Sequence, residues 1–181
     1  YGANNITVRG NRVEWANEIQ SAPGTYWYGL PAASIYCDGG TNNVFERNIV
    51  THGGVGIEVL SEPGLPTAHD ITVRNNIVAN CQNGLLIGSW YTTSTVPSPL
   101  LPYNVRMLNN TAYNNQIGMV IRPFDQTAGS VQWRNNIFSN NGTNYYNEQS
   151  WGYGTADYNL YYAGNVGPGS VSTANPLFVN P

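Results

Sequence analysis

A chain of 181 residues with 41% hydrophobic and 12% aromatic side chains is long and apolar enough for one continuous core, which argues against disorder. Only 9% of its residues are charged, the seven basic residues are all arginine, and the net charge is -3, so no basic patch exists to release counterions and nucleic acid is excluded as a partner. No apolar run approaches the ~18 residues of a membrane span, and no membrane partner is expected.

Read from its start, the chain is organised around one short unit. Gly10-Asn11-Arg12-Val13 is followed by Arg47-Asn48-Ile49-Val50, Asn75-Asn76-Ile77-Val78, Asn109-Asn110-Thr111-Ala112, Asn135-Asn136-Ile137-Phe138 and Tyr158-Asn159-Leu160-Tyr161. The second position is asparagine each time, and the successive spacings from Asn11 are 37, 28, 34, 26 and 23 residues. Repeats of this length mark stacked units, with loops inserted where the spacing grows. Interleaved with them is a small residue before a short apolar strand: Ser34-Ile35-Tyr36-Cys37, Gly56-Ile57-Glu58-Val59, Gly84-Leu85-Leu86-Ile87 and Gly118-Met119-Val120-Ile121. Each unit therefore holds at least two short strands. Stacked unit on unit, they build parallel sheets around a narrow core. Asn11, Asn48, Asn76, Asn110, Asn136 and Asn159 are expected to be structural, since a buried amide at a corner bonds the copies above and below and satisfies a tight turn. Cys37 and Cys81 fall at different phases and are expected to be free packing or turn residues, with a disulfide the weaker alternative.

These repeats resemble the right-handed parallel β-helix repeat proteins, the pectate-lyase-like superfamily, over nearly the whole chain. The resemblance implies an all-β fold: a right-handed single-stranded parallel β-helix, a solenoid of about six coils forming one domain over 1–181. Asp157–Tyr162 with Ala174–Pro181 is similar to the closing coil of that family, whose members usually continue further. The sequence also opens at Tyr1 inside a repeat, so it is expected to be part of a longer chain, and the lack of a visible signal peptide says little. Many members of the family are extracellular and carbohydrate-active. That implies a secreted bacterial protein, extracellular or periplasmic, with a polysaccharide or oligosaccharide as partner.

The loops are uneven. After the Ile35 strand only a few residues precede Val44, whereas later gaps run from Leu60 to His69, from Gly88 to Tyr103 and from Arg122 to Gly129. Loops that follow one strand type emerge along one edge, and insertions there build a binding face. Trp90 and Tyr91 open the longest of them, while Tyr26, Trp27 and Tyr28 lie in an earlier insertion. Flat aromatic faces beside polar groups suit sugar rings, which makes Trp27, Trp90 and Tyr91 candidate substrate contacts; the alternative is that they pack the loops.

Strand alternation then brings acids together. With Ile35 and Cys37 inward, Tyr36 and Asp38 point outward; with Ile57 and Val59 inward, so does Glu58. Stacking Ser34 on Gly56 sets Tyr36 beside Glu58, and Asp38 two residues along, roughly 8 Å away between Cα atoms at ~3.4 Å per residue and ~4.8 Å per coil. Carboxyl groups so placed can close to the ~5–5.5 Å of a retaining glycosidase pair. The same columns put Leu86 and Val120 behind Glu58, and Gly88 and Arg122 behind Asp38, with Glu62 as a third candidate acid at the mouth of the next loop. Ser34-Ile35-Tyr36-Cys37-Asp38, followed one coil later by Gly56-Ile57-Glu58-Val59, resembles the catalytic segment of the β-helical retaining β-xylosidases. By that resemblance Asp38 is the nucleophile and Glu58 the general acid/base; the shared outer face makes Tyr36, Glu62 and Arg122 candidate substrate contacts in the same groove. The match spans only residues 34–59, its acids are 20 residues apart, closer than in that family, and Gly39-Gly40 after Asp38 departs from its pattern.

Two other readings stay open. Polysaccharide lyases of this fold commonly use calcium with a basic Arg or Lys. Here lysine is absent, no dense Asp cluster offers calcium ligands, and Arg122 is expected three coils from Asp38, roughly 14 Å. His52 and His69 read as isolated loop residues that form no metal set, and no cofactor is expected. The third reading is a non-catalytic carbohydrate-binding or surface-structural solenoid, whose open strand edges allow end-to-end self-association.

Overall fold

The structure, a computed structural model, describes residues 2–16, 32–62, 65–89, 101–122, 130–148 and 154–178. Within them the chain winds repeatedly through three short strands. The first round is β1 (Thr7–Arg9), β2 (Arg12–Glu14) and β3 (Ala33–Asp38), and the second is β4 (Val44–Glu46), β5 (Ile49–Thr51) and β6 (Val55–Ser61). The third is β7 (His69–Arg74), β8 (Ile77–Ala79) and β9 (Asn83–Ser89), and the fourth is β10 (Tyr103–Leu108), β11 (Thr111–Tyr113) and β12 (Ile117–Ile121). Then come β13 (Val131–Arg134), β14 (Ile137–Ser139) and β15 (Thr143–Asn147), followed by β16 (Thr155–Asp157), β17 (Asn159–Tyr162) and β18 (Ser170–Ser172).

Strands pair parallel with their counterparts one round away. Three sheets result: sheet A in the order β1-β4-β7-β10-β13-β16, sheet B in the order β2-β5-β8-β11-β14-β17-β18, and sheet C in the order β3-β6-β9-β12-β15. This is an all-β, right-handed parallel β-helix. Each of the first five rounds supplies one strand to each sheet, one more than the minimum the repeats require, because the stretch before each ladder asparagine forms the sheet A strand; the sixth gives β18 to sheet B. Among the described residues no helix is long and apolar enough to cross a membrane.

Connections from sheet C to sheet A leave along one edge, as the loop pattern implies. The earlier insertion, residues 17–31, falls in sequence between β2 of sheet B and β3 of sheet C and lies outside the described residues.

The core is a set of vertical files. Val8, Phe45, Val73, Met107, Trp133 and Ala156 are register partners in sheet A. Val13, Val50, Val78, Ala112, Phe138 and Tyr161 form the sheet B file, and Ile35, Ile57, Leu85, Met119 and Tyr145 that of sheet C. Toward the later rounds the files hold rings, with Phe138 stacked on Tyr161 at 5.1 Å between centroids. The small residue before each sheet C strand allows close approach: a Cβ on Gly56 would lie 2.6 Å from the Gly84 carbonyl oxygen, and one on Gly84 equally close to that of Gly118.

The corner between sheets A and B explains the recurring asparagine. Arg47, Asn75, Asn109, Asn135 and Tyr158 hold φ between 55° and 57°, a left-handed conformation that asparagine tolerates better than most residues. The next residue points into the solenoid. Asn11, Asn48, Asn76, Asn110 and Asn136 each donate a backbone N–H and a side-chain amide N–H to the Oδ1 of the following rung, at 2.9–3.1 Å throughout. The buried amides also donate to sheet A carbonyls, as Asn76 does to Phe45 at 3.0 Å. Every donor is thus satisfied without water.

A second ladder runs along the corner between sheets B and C. Cys81 donates its N–H to Asn115 Oδ1 at 2.9 Å, and Asn115 donates both backbone and side-chain N–H groups to Asn141 Oδ1 at 2.9 and 3.0 Å. Cys81 occupies a rung itself, its sulfur accepting the Gly53 N–H at 3.4 Å. Both cysteines are free and buried, so the disulfide alternative falls.

Candidate active site

Sheets A and B alternate between buried and exposed positions, as one-sided strands do. The middle of sheet C does not: all seven residues of β6 are buried, and so are six of the seven in β9. Its outer side carries a second apolar cluster of Val55, Leu60, Leu86 and Val120, flanked by Ala33 and Ile117. Polar groups set in this wall lose water and gain little in exchange, which makes it the place where side-chain chemistry departs from the ordinary.

The register matches the stacking read from the sequence. Tyr36 pairs with Glu58, Glu58 with Leu86, Leu86 with Val120, and Val120 with Tyr146. Asp38 pairs with Leu60 and Leu60 with Gly88, and Arg122 donates its backbone N–H to Ile87 one round later. Tyr36, Asp38, Glu58 and Arg122 therefore share the outer face of sheet C, and Glu62 joins them immediately after β6. Trp27, Trp90 and Tyr91, with Tyr26 and Tyr28, lie outside the described residues.

Glu58 points outward as expected, yet it is only 5% exposed. Its Oε1 has no hydrogen-bond partner among the described residues. Burial is the main influence on this carboxyl and pushes its pKa from 4.5 up to about 7. The Arg122 cation pulls in the opposite direction, while the negative charges of Glu62 and Asp38 add to the rise.

Asp38 is only partly buried. Burial and the charge of Glu62 raise its pKa, while the Glu62 backbone N–H, donated to Asp38 Oδ1 at 3.2 Å, favours the ionised form. Tyr36 is 42% exposed, and its hydroxyl donates to Glu62 Oε1 at 2.5 Å. Burial first, then this hydrogen bond and the surrounding carboxylates, raise the phenol well above its ordinary range. Tyr36 therefore stays a proton donor and orients Glu62.

Arg122 is almost fully buried, and its Nε pairs with Glu148 Oε2 at 3.0 Å. Its backbone packs against Gly88, where φ is 147° and a Cβ would lie 2.3 Å from the Arg122 Cβ. The register keeps Arg122 three rounds from Asp38, but its charge acts on Glu58. Sequence reasoning missed this coupling, because file counting tracks Cα positions and not the reach of a long side chain.

The two histidines are not isolated, contrary to the expectation from sequence. His52 sits at a corner with φ of 58° and stacks on Trp15 at 4.3 Å, while His69 begins β7 and stacks on Tyr103 at 4.7 Å. The corners bring successive rounds within ring-stacking distance, which sequence separation conceals. Among the described residues no three His, Cys, Asp or Glu side chains are grouped to hold a metal ion.

A family model described as right handed beta helix region matches residues 1–98. No curated protein and no solved structure matches the chain.

Proposed function

Because this chain belongs to the right-handed β-helix family, more than half of its length matching that family's model, we propose that the outer face of sheet C binds a polysaccharide or oligosaccharide and hydrolyses a glycosidic bond with Asp38 and Glu58. The observation that carries this reading is the unlike environment of two carboxyls on one wall. Glu58 is buried, lacks a partner at Oε1 among the described residues and has its pKa pushed up to about 7, so it holds a proton at mildly acidic pH. The Asp38 carboxyl is raised too, by burial and the charge of Glu62, but it is less buried and accepts a backbone N–H that supports its charged form. Pairs of titratable groups set apart in this way divide acid and nucleophile roles.

In the proposed reaction ionised Asp38 attacks the anomeric carbon while Glu58 gives its proton to the departing oxygen. Water, deprotonated by Glu58, then releases the sugar from Asp38 and restores both groups. Tyr36 and Glu62 hold substrate hydroxyls at the rim, and Arg122 limits how far the Glu58 pKa rises. Such a protein works on glycans outside the cell or in the periplasm.

The test assays wild type, Asp38→Asn and Glu58→Gln against aryl glycosides and a polysaccharide panel. Both variants should lose about 10³-fold or more in kcat for unactivated substrates, since each removes a group acting in the transition state. Full activity in both removes the proposal. Ultraviolet-absorbing unsaturated products would assign a lyase instead, and binding without turnover would assign a binding module.

A further inference from the structure

A second recess lies on the outer side of sheet A, on a different wall from the carboxylate pair. It encloses about 310 Å³ and is lined by Asn42, Asp70, Thr72, Asn104 and Arg106. Asn42, Asp70 and Asn104 occupy the same corner in successive rounds, at φ of 56°, 56° and 49°. Thr72 and Arg106 are register partners on β7 and β10. The lining is polar throughout, unlike the apolar wall of sheet C.

Its groups are only partly used. The Asn42 amide donates to Asn5 Oδ1 at 2.7 Å, and the Asn104 amide donates to Asp70 Oδ1. Among the described residues no side-chain hydrogen bond bridges the step from Asn42 to Asp70, so this stack is interrupted where the recess opens. Arg106 reaches Asn104 Oδ1 at 3.5 Å, and among the described residues it forms no ion pair. Beside the recess, the rings of His69 and Tyr103 stack with their planes 5° apart. His69 Nδ1 contacts Asp70 Oδ2 at 2.7 Å, which ties the stack to the lining, and Tyr103 remains 39% exposed.

We propose that this recess binds one neutral pyranosyl unit of a glycan chain. A carboxylate and a guanidinium in one cavity favour neither an anion nor a cation. Together with amides and a hydroxyl they match sugar hydroxyls, which donate and accept at once. The volume is at the lower end for ligand pockets and suits a single ring. The exposed Tyr103 offers a flat apolar face beside the polar groups, the pairing that sugar rings require. The assignment does not depend on hydrolysis at Glu58, because the two sites stand on different sheets.

The test is native affinity electrophoresis of the full chain in gels containing arabinoxylan, mixed-linkage β-glucan or polygalacturonate. A neutral polymer should retard wild type. Arg106→Leu and Asp70→Asn should weaken that retardation about tenfold, the equivalent of one good hydrogen bond. Thr72→Val and Tyr103→Leu read the same site should either charged-residue variant fail to fold by circular dichroism. Retardation that survives all four recess variants overturns the proposal. So do retardation by polygalacturonate alone, loss of retardation in Glu58→Gln but not in Arg106→Leu, and no retardation of wild type by any polymer.

Discussion

The corner between sheets A and B and the outer face of sheet C both bury polar side chains, and they treat them in opposite ways. At the corner, each buried asparagine from Asn48 to Asn136 gives its N–H groups to a neighbouring rung and a strand carbonyl, and accepts from the rung before. On the outer face, Glu58, the register partner of Leu86, is buried with Oε1 lacking a partner among the described residues. A satisfied buried amide stabilises the winding of the chain. An unsatisfied buried carboxyl lowers stability and persists where its altered protonation is of use.

Substitution should separate the two regions in sign. The largest effect is expected for Asn76→Ala. It strips partners from the Asn48 N–H groups and the Phe45 carbonyl, and at ~1–3 kcal/mol for each buried group left unsatisfied it should cost about 4 kcal/mol, read by urea denaturation. Equal stability of wild type and variant would mean that the ladder contributes nothing.

Glu58→Gln should do the reverse. The folded pKa of about 7 lies above the ordinary 4.5, so the folded state favours the proton, and wild type loses stability as pH rises from about 4.5 through about 7. The neutral variant is spared that loss and should be the more stable by about 3 kcal/mol above pH 8, with the two converging below pH 4. Denaturation across this pH range checks it, and a variant less stable than wild type at pH 8 would contradict it.

A smaller effect sharpens the electrostatics. Arg122 lowers the Glu58 pKa, so Arg122→Leu should raise it and move the alkaline limb of the pH–rate profile upward by about one unit or less. A downward shift would show that Arg122 acts on this site through packing alone.

Much of this was legible in the sequence, and for reasons that particular residues make clear. The repeat of Asn48, Asn76 and Asn110 exposed the ladder because each rung needs the same amide at the same phase. Alternation in Gly56-Ile57-Glu58-Val59 placed Tyr36, Asp38 and Glu58 on one face because parallel register follows directly from stacking. The second ladder had a signal that went unused: Asn80-Cys81, Asn114-Asn115 and Asn140-Asn141 repeat at one phase, but a cysteine rung disguised it. Other features had no local signal. The burial of Glu58 depends on packing that strand alternation does not report, the reach of Arg122 depends on its rotamer, and the sheet A recess is assembled from corner and strand residues of three rounds.

The protonation of Glu58 itself is the most direct measurement. Following its side-chain carboxyl by NMR in glutamate-labelled protein, with Glu58→Gln to assign the signal, should give a midpoint near pH 7. A midpoint near 4.5 would mean a solvated, ordinary carboxylate and would remove the physical basis for acid catalysis on this wall.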